Sequence, residues 1–201
     1  MIHVSETFTS WQGTGHLLGT RMHFVRFAGC SVLCPIRSEC DEQGSLTRRG
    51  ATQRDVESLV EEALDSGTGW MHITGGEPTD QSDGLQELVM LARASGLKVH
   101  IQSSGVRTVP CQWDWLTTDP LKHTFGQELV LVNDGSWDTE RLDRLRQDTK
   151  FWCYYLTPLS VRGESSGLAW EDQTNTEETL ELAADAGWDM TLQAHKVWAV
   201  K

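Results

Sequence analysis

The chain has 201 residues and a formal net charge of −12, and its length is typical of one domain with a substantial buried core. Because nucleic-acid binding depends on Lys and Arg that neutralise phosphates, this acidic balance argues against a nucleic-acid partner. The sequence shows neither a secretory leader after Met1 nor an apolar run of membrane-spanning length. We therefore expect a cytoplasmic protein of one domain, residues 1–201, with no membrane contact.

Strand and helix patterns alternate along the chain. Aromatic and β-branched runs predict six strands, which cover 22–28, 70–73, 98–102, 115–117, 129–132 and 151–156. Apolar residues at helical spacing predict four helices. The first begins at an N-cap Thr52, with Asp55 three residues on, and ends at Gly67. The others cover 85–94, 138–146 and 177–186.

This alternation predicts an α/β fold with a parallel sheet. The chain is too short for an eight-stranded barrel, so we expect an incomplete βα barrel, a partial version of the TIM type with about six parallel strands. In such folds the loops that follow the strands lie at one face, where ligands bind. The polar and glycine-rich motifs of this chain follow predicted strands, and we expect the site there.

Three of the five cysteines lie in one loop, which covers 29–51 and follows the first predicted strand. These are Cys30, Cys34 and Cys40. Because the count is odd and Cys111 and Cys153 stand alone, metal-binding thiolates are a more natural interpretation than disulfides. Three thiolates leave one coordination position of a four-ligand metal site open for chemistry. Two alternatives remain: the thiols are buried small side chains, or His16 or His23 completes a zinc site.

A second motif, Gly75-Gly76-Glu77-Pro78, follows the next predicted strand. Two residues without side chains allow backbone groups to approach a ligand closely, and Glu77 places a carboxylate beside a rigid proline. This combination suits a ligand with an ammonium group. A simple strand-to-helix turn would use the same residues, so the motif alone does not decide between the two.

Together the two motifs resemble the radical S-adenosylmethionine superfamily. Its members bind a 4Fe-4S cluster through a cysteine triplet, and the open iron binds the amino and carboxylate groups of S-adenosylmethionine. The usual spacing is C-x3-C-x2-C, whereas this chain has C-x3-C-x5-C, and insertions between the last two cysteines occur in one branch. The resemblance implies that the triplet holds the cluster and that Gly75, Gly76 and Glu77 meet the ammonium group.

The chain ends narrow the resemblance to the 7-carboxy-7-deazaguanine synthases. The segment SETFTSWQGTGHLLGTRMHFVRFAGC resembles that family's opening, with its Q-G-E-G and F-V-R-L-A-G-C runs, and LQAHKVWAVK resembles its ending. DWLTTDPLK, ELVLV and YYLTP are similar to shorter family segments in between. The family implies contraction of 6-carboxy-5,6,7,8-tetrahydropterin to 7-carboxy-7-deazaguanine with loss of ammonia, in queuosine and 7-deazapurine biosynthesis. A 5′-deoxyadenosyl radical from S-adenosylmethionine would remove the C6 hydrogen of the pterin.

The same resemblance assigns roles to individual residues. Substrate contacts are implied for Gln12, Gly13, Thr14, Arg26, His195 and Lys201, the last through the terminal carboxylate. Further contacts to S-adenosylmethionine are implied for Gln102, Ser104, Lys122 and Thr157. Arg26 would pair with the substrate carboxylate as a planar fork. Alternatively, Arg26 forms a structural ion pair and His195 is a core imidazole.

Three positions depart from the family pattern. Thr14 replaces the glutamate of Q-G-E-G, and Gln102 replaces the glutamate of the ribose-contacting segment, where Ser104 remains as a hydrogen-bonding group. Glu42 replaces a threonine that helps to hold a magnesium ion at the substrate carboxylate. An oxygen ligand is thereby retained, because Mg2+ prefers hard oxygens.

The family also implies an electron donor, such as flavodoxin or ferredoxin, and a homodimer. At the chain end, Val197, Trp198 and Val200 suggest a final strand that anchors the terminus, against the default of a frayed tail. Two other functions remain open. One is a glycyl-radical activase, which also carries a cysteine triplet, although both chain ends argue against it. The other is a non-enzymatic zinc or iron-sulfur binding module.

Overall fold

The architecture comes from a computed structural model that describes residues 1–34, 36–40, 42–119, 122–162, 169–171, 173–198 and 200. The strands are β1 (Ile2–Trp11), β2 (Arg21–Phe27), β3 (Thr52–Arg54), β4 (Trp70–Gly75), β5 (Lys98–Ser103), β6 (Trp115–Thr118), β7 (Phe125–Asn133), β8 (Lys150–Pro158), β9 (Ser160–Arg162), β10 (Ala169–Glu171) and β11 (Asp189–Met190). The helices are α1 (Val56–Asp65), α2 (Ser82–Ala94), α3 (Thr139–Asp148), α4 (Gln173–Ala186) and α5 (Ala194–Val197).

In the described part of the chain, nine strands form one sheet in the order β11-β8-β7-β6-β5-β4-β2-β1-β3. Neighbours from β2 to β11 run parallel, whereas β1 is antiparallel to both β2 and β3. The six predicted strands are the contiguous parallel block from β2 to β8. The predicted α/β class with an incomplete parallel barrel is therefore confirmed.

Side chains alternate between the two faces of this sheet. Apolar residues of β2, β4 and β5, such as Val25, Ile73 and Ile101, pack with α1 and α2 in one fully buried cluster. A second cluster joins β7 and β8 to α3 and α4 around Leu129 and Leu142. Because successive residues of a strand point to opposite faces, the polar residues between these apolar ones lie on the other, inner face.

Two local predictions are wrong. Asp55, not Thr52, caps α1, since its carboxylate accepts a hydrogen bond from the Ser58 backbone N–H at 2.8 Å; Thr52 instead begins β3, which pairs with β1. The chain end forms α5 rather than a final strand, and the Trp198 backbone N–H donates to the Ala194 carbonyl at 2.8 Å. The backbone hydrogen bonds there are formed within the helical turn and not with a neighbouring strand.

No helix in the described ranges is long and apolar enough to cross a bilayer. Strand β1 and the short strands β3, β9, β10 and β11 were not predicted from the sequence. Their formation depends on pairing with other strands, which local periodicity does not encode.

Candidate active site on the inner face of the sheet

A cavity of about 130 Å3 opens on the inner face of the sheet. Five of the predicted substrate residues line it together, namely Gln12, Gly13, Thr14, Arg26 and His195. Glu42 and Gln102, predicted for magnesium and S-adenosylmethionine, lie in the same wall. The sixth predicted substrate residue, Lys201, lies outside the described residues. Residues up to 183 positions apart in sequence are thus brought to one small space.

The two ends of the chain meet to close this cavity. The Ala194 backbone N–H donates to the Gly13 carbonyl at 2.8 Å and joins α5 to the β1–β2 connection. A Cβ atom on Gly13 would lie 2.2 Å from Nδ1 of His195, closer than real Cβ atoms approach any neighbour. Glycine at position 13 is therefore required for His195 to occupy its place beside the cavity.

Arg26 is held by two carboxylates. Its Nη1 lies 3.0 Å from Oε1 of Glu6, and its Nη2 lies 2.6 Å from Oε1 of Glu42. The guanidinium also lies over the Phe8 ring, 4.9 Å from the ring centre. The alternative of a structural ion pair therefore describes Arg26 as it stands in this structure. A substrate carboxylate that binds both terminal nitrogens of Arg26 would have to share them with Glu6 and Glu42 or displace these carboxylates.

The Gly75-Gly76 pair packs against the backbone that leads into the cysteine loop. The backbone N–H groups of Gly76 and Glu77 donate to the carbonyls of Phe27 and Gly29 at 2.8 and 2.9 Å. A Cβ on Gly75 would lie 2.3 Å from the Phe27 carbonyl oxygen, and one on Gly76 2.1 Å from that of Gly29. The close approach predicted for these glycines is thus made to protein backbone, while their contact with a ligand stays a prediction.

Glu77 is completely buried, and five protein donors surround its carboxylate. Oε1 accepts from the Thr79 backbone at 3.0 Å, the Thr79 hydroxyl at 2.7 Å and the Ser103 hydroxyl at 2.8 Å. Oε2 accepts from the backbone and hydroxyl of Ser104 at 2.9 and 2.5 Å. A carboxylate offers about four lone-pair sites. A ligand ammonium could pair with Glu77 only if one of these bonds were given up.

The three clustered thiols lie on the loop that follows β2. Its base is fixed where the Gly29 and Cys30 backbones donate to the Ser45 and Leu46 carbonyls at 2.8 and 3.1 Å. Asp80 accepts from the backbone and the hydroxyl of Ser31, both at 2.7 Å. All five cysteines are free. Burial, followed by weaker contributions that include the Cys30 thiol, raises the pKa of Cys34.

The described residues contain no group of three His, Cys, Asp or Glu side chains placed to hold a metal ion. The chemistry of the loop still fits a cluster, because it carries three free, partly exposed thiols within eleven residues. The proposed zinc ligands are engaged elsewhere: the His16 ring stacks on Trp115 at 4.8 Å, and His23 lies beside Thr9 and Glu62. Binding of a cluster would have to draw the three thiols together.

The remaining predicted residues have mixed settings. The buried Thr157 hydroxyl, near the carboxyl end of β8, has no hydrogen-bond partner among the described residues. A buried polar group of this kind is available to hydrogen-bond a ligand. Ser104 is already bound to Glu77, and exposed Lys122 donates its backbone N–H to the Gly105 carbonyl at 2.7 Å. Their contacts to S-adenosylmethionine stay predictions.

Sequence reasoning missed a chain of buried polar side chains on the inner face, formed by His72, His100, Thr117 and Glu128 of β4 to β7. Nδ1 of His72 lies 2.7 Å from Nδ1 of His100, and Nε2 of His100 lies 2.7 Å from the Thr117 hydroxyl. That hydroxyl donates to Glu128 at 2.5 Å. His72 also lines the cavity. The signal in the sequence was a histidine between two apolar residues in both β4 and β5.

The chain has relatives among known proteins, although no family model matches it. A 7-carboxy-7-deazaguanine synthase from Bacteroides thetaiotaomicron is 32% identical over 203 residues, which cover 98% of this chain and 97% of that protein. The synthase of the same name from Synechocystis is 27% identical over 209 residues, which cover 98% of this chain and 93% of its own. The crystal structure of QueE from Escherichia coli has a similar fold, with a TM-score of 0.75, 21% identity and coverage of 96% of this chain and 94% of that one.

Proposed function

Because the chain belongs to the 7-carboxy-7-deazaguanine synthases, we propose that it contracts 6-carboxy-5,6,7,8-tetrahydropterin to 7-carboxy-7-deazaguanine with release of ammonia, in queuosine and 7-deazapurine biosynthesis. The protein is an enzyme with a small-molecule substrate, and residues 1–201 act as one domain. The observation that supports this proposal most is the meeting of Gln12, Gly13, Thr14, Arg26 and His195 at one cavity. The resemblance of the sequence assigns the same five residues to the substrate independently of their positions in the fold.

The cavity provides groups that match a carboxypterin. The buried Gln12 amide offers both a donor and an acceptor, as the pyrimidine edge of a pterin requires. Phe24 supplies an apolar surface for the ring, and His195 can donate or accept a hydrogen bond in the same cavity. The fork of Arg26 would bind the substrate carboxylate after the Glu42 carboxylate leaves the Nη2 group of Arg26. Lys201 is a further proposed contact to the pterin.

Cys30, Cys34 and Cys40 would hold a 4Fe-4S cluster, and Gly75, Gly76 and Glu77 would bind S-adenosylmethionine beside it, with Gln102, Ser104, Lys122 and Thr157 as further contacts. When bound, these cofactors supply the one-electron cleavage that generates a 5′-deoxyadenosyl radical. The protein contributes orientation and exclusion of water. The free thiols on one loop and the unpartnered Thr157 hydroxyl support this assignment.

We further propose Glu42 as a ligand for magnesium. Glu42 retains a hard oxygen ligand, but its carboxylate is bound to Arg26 at 2.6 Å, so Mg2+ would compete with the guanidinium for it. Activity assayed with Mg2+ and with a chelator tests this. We further propose a flavodoxin or ferredoxin as the electron donor and a homodimer as the assembled state, which reduction assays and light scattering would test.

The direct test is anaerobic reconstitution with iron, sulfide and a reductant, followed by product analysis with S-adenosylmethionine and the carboxytetrahydropterin. We expect equal amounts of 7-carboxy-7-deazaguanine and ammonia. Formation of 5′-deoxyadenosine without either product would reject the proposed substrate. A reconstituted protein that carries zinc and no iron or sulfide would reject the radical enzyme as a class.

A further inference from the structure

The four polar residues of the inner-face chain (His72, His100, Thr117 and Glu128) form an uninterrupted hydrogen-bonded path from the cavity to a buried carboxylate. At most 1% of the surface of His72, His100 or Glu128 is exposed, and 2% of Thr117. At the far end, Oε2 of Glu128 accepts from the His16 backbone N–H at 2.7 Å. At the near end, His72 lines the cavity and is hydrogen-bonded by the Gln102 side chain. Solvent thus has little access to the path except through the cavity.

Both histidines are neutral at physiological pH. Burial lowers the pKa of His100 from 6.5 to about 3, and burial followed by the nearby His100 and Arg26 lowers the pKa of His72 well below its usual value. A neutral imidazole has one donor and one acceptor nitrogen. Each ring in the path therefore carries one N–H, and its neighbours decide which nitrogen bears it.

The donor directions follow from Glu128. An ionised carboxylate only accepts, so the single proton of the Thr117 hydroxyl points to Glu128, and that hydroxyl must accept from Nε2–H of His100. Nδ1 of His100 is then bare and accepts from Nδ1–H of His72. This leaves Nε2 of His72 as an acceptor at the cavity end, toward the Gln102 side chain and the cavity that both residues line. Every donor in the path points away from the cavity.

Protonation of Glu128 reverses every bond in the path. Burial raises the pKa of this carboxyl, which lowers the cost of its neutral form. If Glu128 holds a proton, Thr117 accepts from it and donates to Nε2 of His100. His100 then donates through Nδ1, and His72 presents Nε2–H to the cavity. The two arrangements differ by one proton and keep the same heavy-atom positions.

We propose that His72 exchanges protons with the pterin in the cavity and that His100, Thr117 and Glu128 form a relay that stores and returns them. This inference rests on the proposed ring contraction. A proton passes from the contracting ring to Nε2 of His72, and the Nδ1 proton of His72 passes to Nδ1 of His100. The Nε2 proton of His100 then passes to the Thr117 hydroxyl, whose own proton passes to Glu128. The reverse sequence returns a proton through His72 to the nitrogen that leaves.

The transfers balance without any added reagent. Loss of ammonia removes one nitrogen and three hydrogens from the substrate, so each proton that the leaving nitrogen gains is matched by one that the carbon skeleton loses. The relay therefore moves protons and transfers no electrons. It needs neither an oxidant nor a reductant beyond those of the proposed reaction. His72 would be the catalytic residue, while His100, Thr117 and Glu128 act through it.

The first test needs no cofactor and no turnover. Nitrogen-15 NMR of histidine-labelled protein, assigned with His72→Asn and His100→Asn, distinguishes the two neutral tautomers of each ring. We expect Nδ1–H on His72 and Nε2–H on His100. If the two rings carry any other arrangement at neutral pH, the directional path does not exist and the proposal fails.

The same spectra of Glu128→Gln provide a sharper test. The His16 backbone N–H can only donate, so the glutamine oxygen must face it, and the NH2 group must face Thr117. Thr117 then donates to His100, which reverses the path. We expect both histidines to change tautomer, and unchanged tautomers would overturn the relay.

The second test separates the relay from packing. Thr117→Val removes the linking hydroxyl at nearly constant volume, and Thr117→Ser restores it. Thr118→Val is the matched control, because Thr118 is equally buried, lies on the other face of β6, and has no hydrogen-bond partner among the described residues. Relative to 5′-deoxyadenosine formation, we expect product formation to fall about tenfold or more in Thr117→Val. It should recover in Thr117→Ser and stay unchanged in Thr118→Val.

Equal product yields from the two valine variants would overturn the relay while leaving the proposed function intact. A wild-type enzyme that forms no 7-carboxy-7-deazaguanine would instead reject the proposed function. Failure of the function would therefore appear in the unmodified protein, and failure of the relay only in the comparison of variants.

Discussion

The inner face of the sheet and the cysteine loop (29–51) adjoin each other, but different interactions organise them. On the inner face, neighbouring strands fix each polar side chain, and His72, His100 and Thr117 are linked at 2.7 Å from one to the next. The cysteine loop is joined to itself at its base and otherwise has two single turns of 3-10 helix, Arg37–Glu39 and Gln43–Ser45. Its thiols are not gathered into a ligand group within the described residues. Exposure differs as well, since 95% of Leu33 is exposed.

This difference indicates which part of the proposed site is formed by the polypeptide without cofactors. Strand packing sets the substrate side, so its geometry exists in the polypeptide alone. The proposed cluster side offers three free thiols on one loop, and metal binding to such ligands can supply part of the folding free energy. Preorganised polar groups are also the main protein contribution in sites where a cofactor performs the difficult step.

The largest expected effect concerns the loop alone. Replacing Cys30, Cys34 or Cys40 by Ala should abolish bound iron and all turnover, because each would supply one of the three thiolates. Cys111→Ala and Cys153→Ala are the matched controls and should keep iron. The free energy of unfolding of the cluster-free protein should change by less than about 0.5 kcal/mol in the loop variants. Iron loss in a control variant instead would show that the ligands are assigned wrongly.

Glu77 contacts both regions, because its backbone N–H donates to Gly29 of the cysteine loop and its carboxylate accepts from Ser103 of β5. Its removal should therefore affect both regions. Glu77→Ala leaves the buried donors of Thr79, Ser103 and Ser104 unsatisfied, and we expect a loss of about 3 kcal/mol in the free energy of unfolding. Denaturant titration measures it, with exposed Glu87→Ala of α2 as the control. Affinity for S-adenosylmethionine should fall while iron content is retained. Unchanged cofactor affinity would exclude Glu77 from the cofactor site.

A smaller change should disturb the substrate side only. Gly13→Ala would force His195 away from the cavity wall, because the new Cβ would lie 2.2 Å from Nδ1. We expect kcat/KM for the pterin to fall roughly tenfold to a hundredfold, with iron content and S-adenosylmethionine affinity intact. Gly67→Ala, strained at φ 65° but with open space around it, is a control that should lower stability without altering kcat/KM. Identical kinetics in both variants would contradict the assigned cavity wall.

The remaining effect is a pH dependence of the stability of the inner face. Burial lowers the pKa of His100 to about 3 and the pKa of His72 well below 6.5 in the folded state, so as the pH falls below 6.5 the unfolded chain binds more protons than the folded one. Stability is therefore fully present above pH 6.5 and decreases as the pH falls, by about 1.4 kcal/mol per pH unit for each histidine. His23, whose pKa burial also lowers, adds to the slope. His100→Asn should reduce the slope between pH 6.5 and 5, and an unchanged slope would show that His100 does not remain neutral.

Much of the site could be predicted because short motifs carry it. The cysteine triplet together with Gly75-Gly76-Glu77-Pro78 indicates the superfamily, and the six central strands follow from local apolar runs. The contacts of Arg26 with Glu6 and Glu42 could not be predicted, because they join residues of different elements. The prediction of a final strand was wrong because Val197 and Trp198 were interpreted as buried anchors. Both are exposed, on α5 or next to it.

His72 and His100 were missed for a related reason. Each is a single polar residue in an apolar strand, which by itself resembles an ordinary buried histidine. Only the register shows that the two are direct neighbours on adjacent strands, and that Thr117 is likewise beside Glu128. A partial signal was available, since polar residues alternate with apolar ones in β4 and β5. Alternation predicts a polar inner face without identifying which side chains meet.

We expect the substrate cavity to form without the cluster. Ligand binding to the cluster-free protein tests this expectation most directly. Exposed Trp11 lines the cavity, so the stable analogue 6-carboxypterin should quench tryptophan fluorescence when it binds. We expect saturable binding of equal affinity in the apo wild type and in Cys30→Ala, and at least about tenfold weaker binding in Gln12→Ala and Arg26→Ala. Binding that requires the cluster, or that is unaffected by both cavity variants, would contradict the account.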